Sequence, residues 1–154
     1  MIIYLAARYS RHVELQSVRA DLEKLGHTVT SRWINGDHQI SDVGLSAQAK
    51  EGERIRFAME DYHDLCAASA IVAFTESPRA TNSRGGRHVE LGIALGRGMK
   101  VIVVGPRENV FCCLPCVEWF ENYDYFITKL RAAAEDNRVA DLQTNNCQST
   151  QAVY

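Results

Sequence analysis

Apolar residues come in short continuous runs at Ile2–Ala6, at Ala70–Phe74 (within a strand expected over Ser69–Phe74) and at Val101–Val104, and Val117–Phe120 reads as a further short strand. Runs of that length, bounded by polar or glycine-containing segments, are the pattern of strands buried on both faces. A fifth strand is expected over His27–Ile34, where Val29 and Trp33 sit in a loosely alternating stretch that Asn35-Gly36-Asp37 breaks. Between the runs the spacing becomes helical. Ser10 caps a helix over Arg11–Leu25, with Val13, Val18, Leu22 and Leu25 as its stripe and Gly26 as its stop. Gln48–Ala67 reads as a second helix with Ile55, Met59, Tyr62 and Leu65 inward. A third opens at Gly85-Gly86, and Asp124 caps a last one ending near Ala134. The polar segment from Asn35 to Ala47 reads as a loop over the ligand edge, and loops of that length inside a compact domain are often lids.

Strands alternating with helices predict an α/β fold: a flavodoxin-like three-layer fold with a five-stranded parallel sheet, order 2-1-3-4-5, and right-handed crossovers. One catalytic domain is expected over residues 1–134, followed by a polar C-terminal tail over 135–154. In that order the switch point lies between the ends of strands one and three, so Tyr4–Ser10 faces Thr75–Glu90.

Length and composition narrow the class. At 154 residues, 46% hydrophobic and 23% charged, the chain has the make-up of one soluble globular domain rather than a disordered or fibrous one. A net charge of −2 predicts no broad nucleic-acid or membrane surface. No apolar run approaches the ~20 residues that span a bilayer. Met-Ile-Ile-Tyr-Leu-Ala lacks a basic leader and reads as a first strand rather than a signal peptide. Five cysteines, an odd number, fit a reducing compartment, so a cytoplasmic location is expected.

Candidate chemistry centres on Ser83–Gly98. Gly85 and Gly86 open a helix at the ligand edge, let a substrate approach the backbone, and are followed by Glu90. Asp61 on the preceding helix and Tyr4 on the first strand converge with it under the expected topology. Two neighbouring carboxyls raise each other's proton affinity, so one can attack while the other carries a proton. That division of labour retains configuration in glycoside cleavage. A lone helical Glu is usually a solvated surface group; the glycine pair and the switch-point location favour a nucleophile.

The residues that carry a family likeness are Ile-Tyr-Leu-Ala-Ala at 3–7, Glu-Asp-Tyr-His-Asp-Leu at 60–65 leading into Ala68-Ser69-Ala70-Ile71-Val72, and Gly86-Arg-His-Val-Glu90-Leu-Gly92-Ile-Ala94 leading into Lys100-Val-Ile-Val. Over residues 2–105 the chain resembles the nucleoside 2-deoxyribosyltransferase family and the related deoxynucleoside 5′-monophosphate N-glycosidases. The resemblance implies an enzyme of nucleotide salvage that cleaves the N-glycosidic bond of a 2′-deoxynucleoside through a covalent glycosyl-Glu intermediate. It passes the sugar to a second base or, as a hydrolase, to water, and transfer is the preferred reading. Glu90 would be the nucleophile, Asp61 the proton donor and acceptor, and Tyr4 the residue that orients Glu90. No cofactor and no metal are implied. The partners are a nucleoside or nucleotide and a free base.

Asn82-Ser83-Arg84 stands where many members have an acidic residue that helps hold the base. Arg84 and Arg87, with Arg8, Ser10 and Arg11, could instead grip a 5′-phosphate, since guanidinium forks match phosphate oxygens. Ala152-Val153-Tyr154 resembles the end of some transferases, whose terminal carboxylate reaches a neighbour's sugar. That implies a homo-oligomer with shared active sites in which Tyr154 binds substrate.

Other patterns compete. His88-Val-Glu90 and Cys113-Leu-Pro-Cys116 resemble the zinc nucleotide deaminases, but Phe111-Cys112 precedes the cysteine pair where a proline is expected. The same pair does not follow an early strand, as thioredoxin-type chemistry requires. Cytokinin-type phosphoribohydrolases carry Pro-Gly-Gly-x-Gly-Thr, whose later Gly-Thr is missing here, and Ala6-Ala7-Arg8 does not supply a dinucleotide fingerprint. Trp33, Trp119 and Tyr123 read as core or interface aromatics, and His38 and His63 have no assigned partners. A non-catalytic nucleotide-binding protein is the remaining alternative.

Overall fold

The computed structural model describes residues 1–38, 46–77 and 85–150, side chains beyond 139 excepted. Its strands are β1 (Ile2–Ala6), β2 (Thr28–Val29), β3 (Ala70–Phe74), β4 (Lys100–Val104) and β5 (Val117–Phe120). The helices are α1 (His12–Lys24), α2 (Ala47–Ala67), α3 (Gly86–Gly96) and α4 (Tyr123–Thr150). All pairings are parallel, in the order β2-β1-β3-β4-β5. Fold class and strand order are those the apolar runs predict.

The runs form central strands because both faces are covered. β3 is buried at every position, and β1 and β4 at every position after the first. Each fully buried Ile, Leu, Val or Phe contributes about 1.5–3 kcal/mol over an exposed one. On one face Tyr123 of α4 donates to Asp21 of α1 at 3.0 Å and its ring lies 6.2 Å from Phe74. On the other, Tyr4 reaches from β1 to α3.

Several expectations are corrected. The second strand is only two residues long, and Arg32–Asn35 is a 3-10 turn. Side chains replace backbone pairing there: Ser31 Oγ accepts from Leu5 N–H at 2.6 Å, and Trp33 Nε1 donates to the Leu5 carbonyl at 2.9 Å. Trp33 and Ile34 are therefore buried without belonging to the sheet. Ser10 lies within a short 3-10 turn, Tyr9–Arg11, that leads into α1, and it does not cap the helix. In α1 the buried stripe is Leu15, Val18 and Leu22, while Val13 is 64% exposed. Gln16 and Arg19 reach instead to the carbonyls of Ile34 and Ser31 and hold the turn. In α2 the buried residues are Phe57, Asp64 and Leu65; Ile55, Met59 and Tyr62 face solvent. At the start of α4 it is Asn122, not Asp124, whose side chain accepts a backbone bond, from Tyr125 N–H at 2.9 Å. That helix runs to Thr150, well beyond Ala134.

At the carboxyl edge, Gly105 is held at φ +115° with an ideal Cβ position only 2.8 Å from Thr75 Oγ1 and 2.9 Å from the Thr75 carbonyl. No side chain fits there. Thr75 N–H meanwhile donates to Val104 and Gly105 N–H to Phe120, so the ends of β3, β4 and β5 are locked side by side. Among the described residues no helix is long and apolar enough to cross a membrane.

Candidate active site

Gly85 takes a left-handed conformation, φ +83°, as the residue that opens α3. That conformation is readily available to glycine and costly to most others. Among the described residues nothing lies within 4 Å of where a Cβ of Gly85 or Gly86 would be. One turn into the helix comes Glu90. Its Oε1 accepts a hydrogen bond from the Tyr4 hydroxyl at 2.8 Å, across 86 residues of sequence.

The electrostatics of this group are unusual. Burial pushes the Glu90 carboxyl up to about 7, the Tyr4 hydrogen bond and Arg87 pull it down, and the charge of Asp61 pushes it further up. Asp61 is raised to about 6, chiefly by burial, with Asp64 and Glu60 adding and His38 and Arg32 opposing. Tyr4 is held well above its ordinary value by burial and by the acids around it, so its phenol stays a proton-bearing donor. The structure thus brings Glu90, Asp61 and Tyr4 into one electrostatic cluster. Two carboxyls that would each be ionised in water here hold protons near neutrality.

The cationic residues behave differently. Arg87 is buried and forms a bidentate pair with Glu108: Nε to Oε1 at 3.0 Å and Nη2 to Oε2 at 2.6 Å. Glu108 also lies 3.6 Å from His88 and accepts from Glu76 N–H at 3.4 Å, tying the start of α3 to the ends of β3 and β4. Arg8 lies 3.6 Å from Glu76. Arg11 is bidentate to Glu14 and covers the Phe74 ring at 5.2 Å. Ser10 is exposed at the same edge. Of the arginines expected to grip a phosphate, Arg8, Arg11 and Arg87 therefore each come with a carboxylate. Arg84 and Tyr154 lie outside the described residues.

His38 joins this group although no sequence signal marks it. The ring is buried on the Asp61 side of the crevice, 2.9 Å from Asp37 through Nδ1 and 2.9 Å from Glu60 through Nε2. The adjacent Glu60-Asp61 was visible as part of a motif, but nothing in the spacing brings residue 38 to it. The deaminase-like residues do not converge: no group of three or more His, Cys, Asp and Glu among the described residues is placed to hold a metal ion. Cys112 is buried, whereas Cys113 and Cys116 are exposed thiols.

Comparison with known proteins places this architecture. No protein-family model and no curated protein sequence matches the chain. Among solved structures, it is similar to a 2-deoxyribosyltransferase from Bacillus psychrosaccharolyticus, with a TM-score of 0.57 and 20% identity over 84% of this chain and 96% of that one. It is also similar to the CMP N-glycosidase BcmB of Clostridium botulinum, with a TM-score of 0.55 and 19% identity over 86% and 99%. The chain shares their fold.

Proposed function

We propose that the protein cleaves the N-glycosidic bond of a 2′-deoxynucleoside and transfers the sugar to another base. The observation that carries the reading is the Tyr4–Glu90 hydrogen bond, set in a buried cluster where desolvation pushes Glu90 up to about 7 beside a second raised acid. The shared fold with a 2-deoxyribosyltransferase and an N-glycosidase supports it.

In the first step a Glu90 carboxylate oxygen bonds to the anomeric carbon while the bond to the base nitrogen breaks. The bond's electrons leave on the base, and Asp61 supplies the proton that neutralises it. In the second step an incoming base nitrogen attacks the same carbon, Glu90 departs as carboxylate, and Asp61 takes the proton back. Tyr4 holds Glu90 and disperses its charge. Before substrate enters, the stronger proton affinity belongs to Glu90, about 7 against about 6 on Asp61. Reaching the reactive arrangement, with Asp61 protonated and Glu90 ionised, therefore carries about a tenfold population cost.

Hydrolysis of a deoxynucleoside 5′-monophosphate is the competing reading, supported by the fold shared with BcmB. The acid partners of Arg8, Arg11 and Arg87 weigh against a dedicated phosphate grip. Incubation with deoxyinosine plus adenine, and separately with deoxynucleoside monophosphates alone, tests both. The expected result is deoxyadenosine from the first mixture and little free base from the second. Glu90→Ala should lower the exchange rate by at least about 10³-fold, as loss of a covalent nucleophile does. A glycosyl adduct on Glu90 should appear in the mass of protein quenched during turnover. Base exchange persisting in Glu90→Ala sinks the mechanism.

A further inference from the structure

His38 has no part in the steps above, yet it is the most enclosed ionisable side chain beside them, its side chain 3% exposed. Its ring stacks on Phe57 of α2, centroids 4.6 Å apart, and the Arg56 guanidinium lies over the same Phe57 ring, 4.6 Å from its centroid. Nδ1 lies 2.9 Å from Asp37 Oδ1. Nε2 lies 2.9 Å from Glu60 Oε2 and 3.7 Å from Asp61 Oδ1. The segment that carries it is anchored: the Tyr9 hydroxyl donates to the Gly36 carbonyl, and Gly36 N–H donates to Trp33.

The two ring nitrogens face three carboxyls, those of Asp37, Glu60 and Asp61. With Nδ1–H directed at Asp37, Nε2 faces Glu60 and Asp61, and neither carboxylate can bond to it unless one of them or the ring carries a proton there. Nε2 and Asp61 Oδ1 are both buried without a completed hydrogen bond among the described residues. Two buried polar atoms 3.7 Å apart, each lacking a bond, are one small rotation from sharing a proton.

We infer that His38 is the positioning residue of Asp61: it faces the acid with a protonatable nitrogen and fixes the carboxyl in the orientation from which Asp61 gives its proton to the departing base and takes it back from the incoming one. The inference rests on the proposed N-glycosidic reaction for its consequence, though not for its geometry. Asp37 orients the ring. Glu60, whose other oxygen lies 3.7 Å from Arg56, competes for its charge. Asp64 and Arg32 act on Asp61 from beyond, and Glu90 and Tyr4 from the opposite wall. A protonated His38 favours the ionised form of Asp61, so its removal must raise the proton affinity of that acid.

The test uses the full chain, His38→Gln and His38→Ala. Carbon-detected NMR of the Asp61 carboxyl should show its titration moving to higher pH in His38→Gln. In base exchange, His38→Ala should lower kcat by about 10- to 100-fold with an ordinary purine leaving group, as misplacing a general acid does. KM should change little, and added imidazole should restore part of the rate. With a deoxynucleoside whose base departs readily as an anion, the same variant should approach the parent rate, whereas Glu90→Ala stays inactive on both. An Asp61 titration unmoved by His38→Gln, or equal slowing with both leaving groups, overturns the inference. Absence of base exchange in the parent protein, with the Asp61 titration still shifted by His38→Gln, discards the reaction and keeps the positioning of Asp61.

Discussion

Glu90 and Tyr4 share one hydrogen bond, and the balance of forces on that bond sets the working pH. Burial lifts Glu90 to about 7 and Asp61 to about 6. One must be ionised and the other protonated, so kcat/KM for base exchange should follow a bell with limbs near those two values. A profile flat from pH 5 to 9 would remove both acids from the reaction. Tyr4→Phe deletes the bond that lowers Glu90's proton affinity. The alkaline limb should then move to higher pH, and the maximum rate should fall about tenfold for every pH unit the limb travels. The same burial costs stability. Glu90 binds its proton more tightly folded than unfolded, where its value is the ordinary 4.5. Folding is therefore unaffected below that value and progressively weakened as pH rises from there through about 7. Glu90→Gln should stabilise the protein by up to about 3 kcal/mol at pH 8 and by almost nothing at pH 4, read from urea unfolding at the two pH values.

Among the elements, the ion pair between Arg87 and Glu108 ties the start of α3 to the strand ends. Both side chains are nearly inaccessible, 5% and 7% exposed. Glu108→Ala would strand a buried guanidinium and should cost about 3–5 kcal/mol in equilibrium unfolding. What could be read from the sequence at this scale follows from what each element buries. β1, β3 and β4 were legible because a strand covered on both faces has no choice but continuous apolarity, whereas β5 was legible only as a short stretch, Val117–Phe120, with Glu118 and Trp119 exposed. The truncated β2 was not, because Ser31 and Trp33 finish its pairing with side-chain atoms that no periodicity records. The stripes of α1 and α2 misled for a related reason. Asp64 is buried against Arg32, with Nη2 to Oδ1 at 2.7 Å, so the inner face of α2 includes a charge and its most apolar row lies outside. Glu90, Asp61 and Tyr4 could be picked out from the glycine turn and the strand order. His38 could not, since it sits on a segment outside any helix or strand, whose path to α2 only the fold determines.

At the scale of the molecule, the outward row of Ile55, Met59 and Tyr62, 58%, 50% and 47% exposed, is a surface that a lone small domain rarely keeps. We propose that the protein self-associates through this row. Light scattering should give a multiple of the 17.3 kDa chain mass, and Met59→Glu should shift it toward the monomer. A monomeric parent protein at micromolar concentration would withdraw that expectation. The exposed Val110 and Phe111, on the turn after β4, offer a second patch for the same purpose.

Because the tips of Ser31 and Trp33 terminate β1 where a longer neighbour would otherwise run alongside, the sheet's alignment ends before the segment that carries His38 begins. That segment is thus uncoupled from strand register. The Tyr4–Glu90 hydrogen bond, built on β1 and α3 alone, should therefore keep its geometry whatever stands beside that segment.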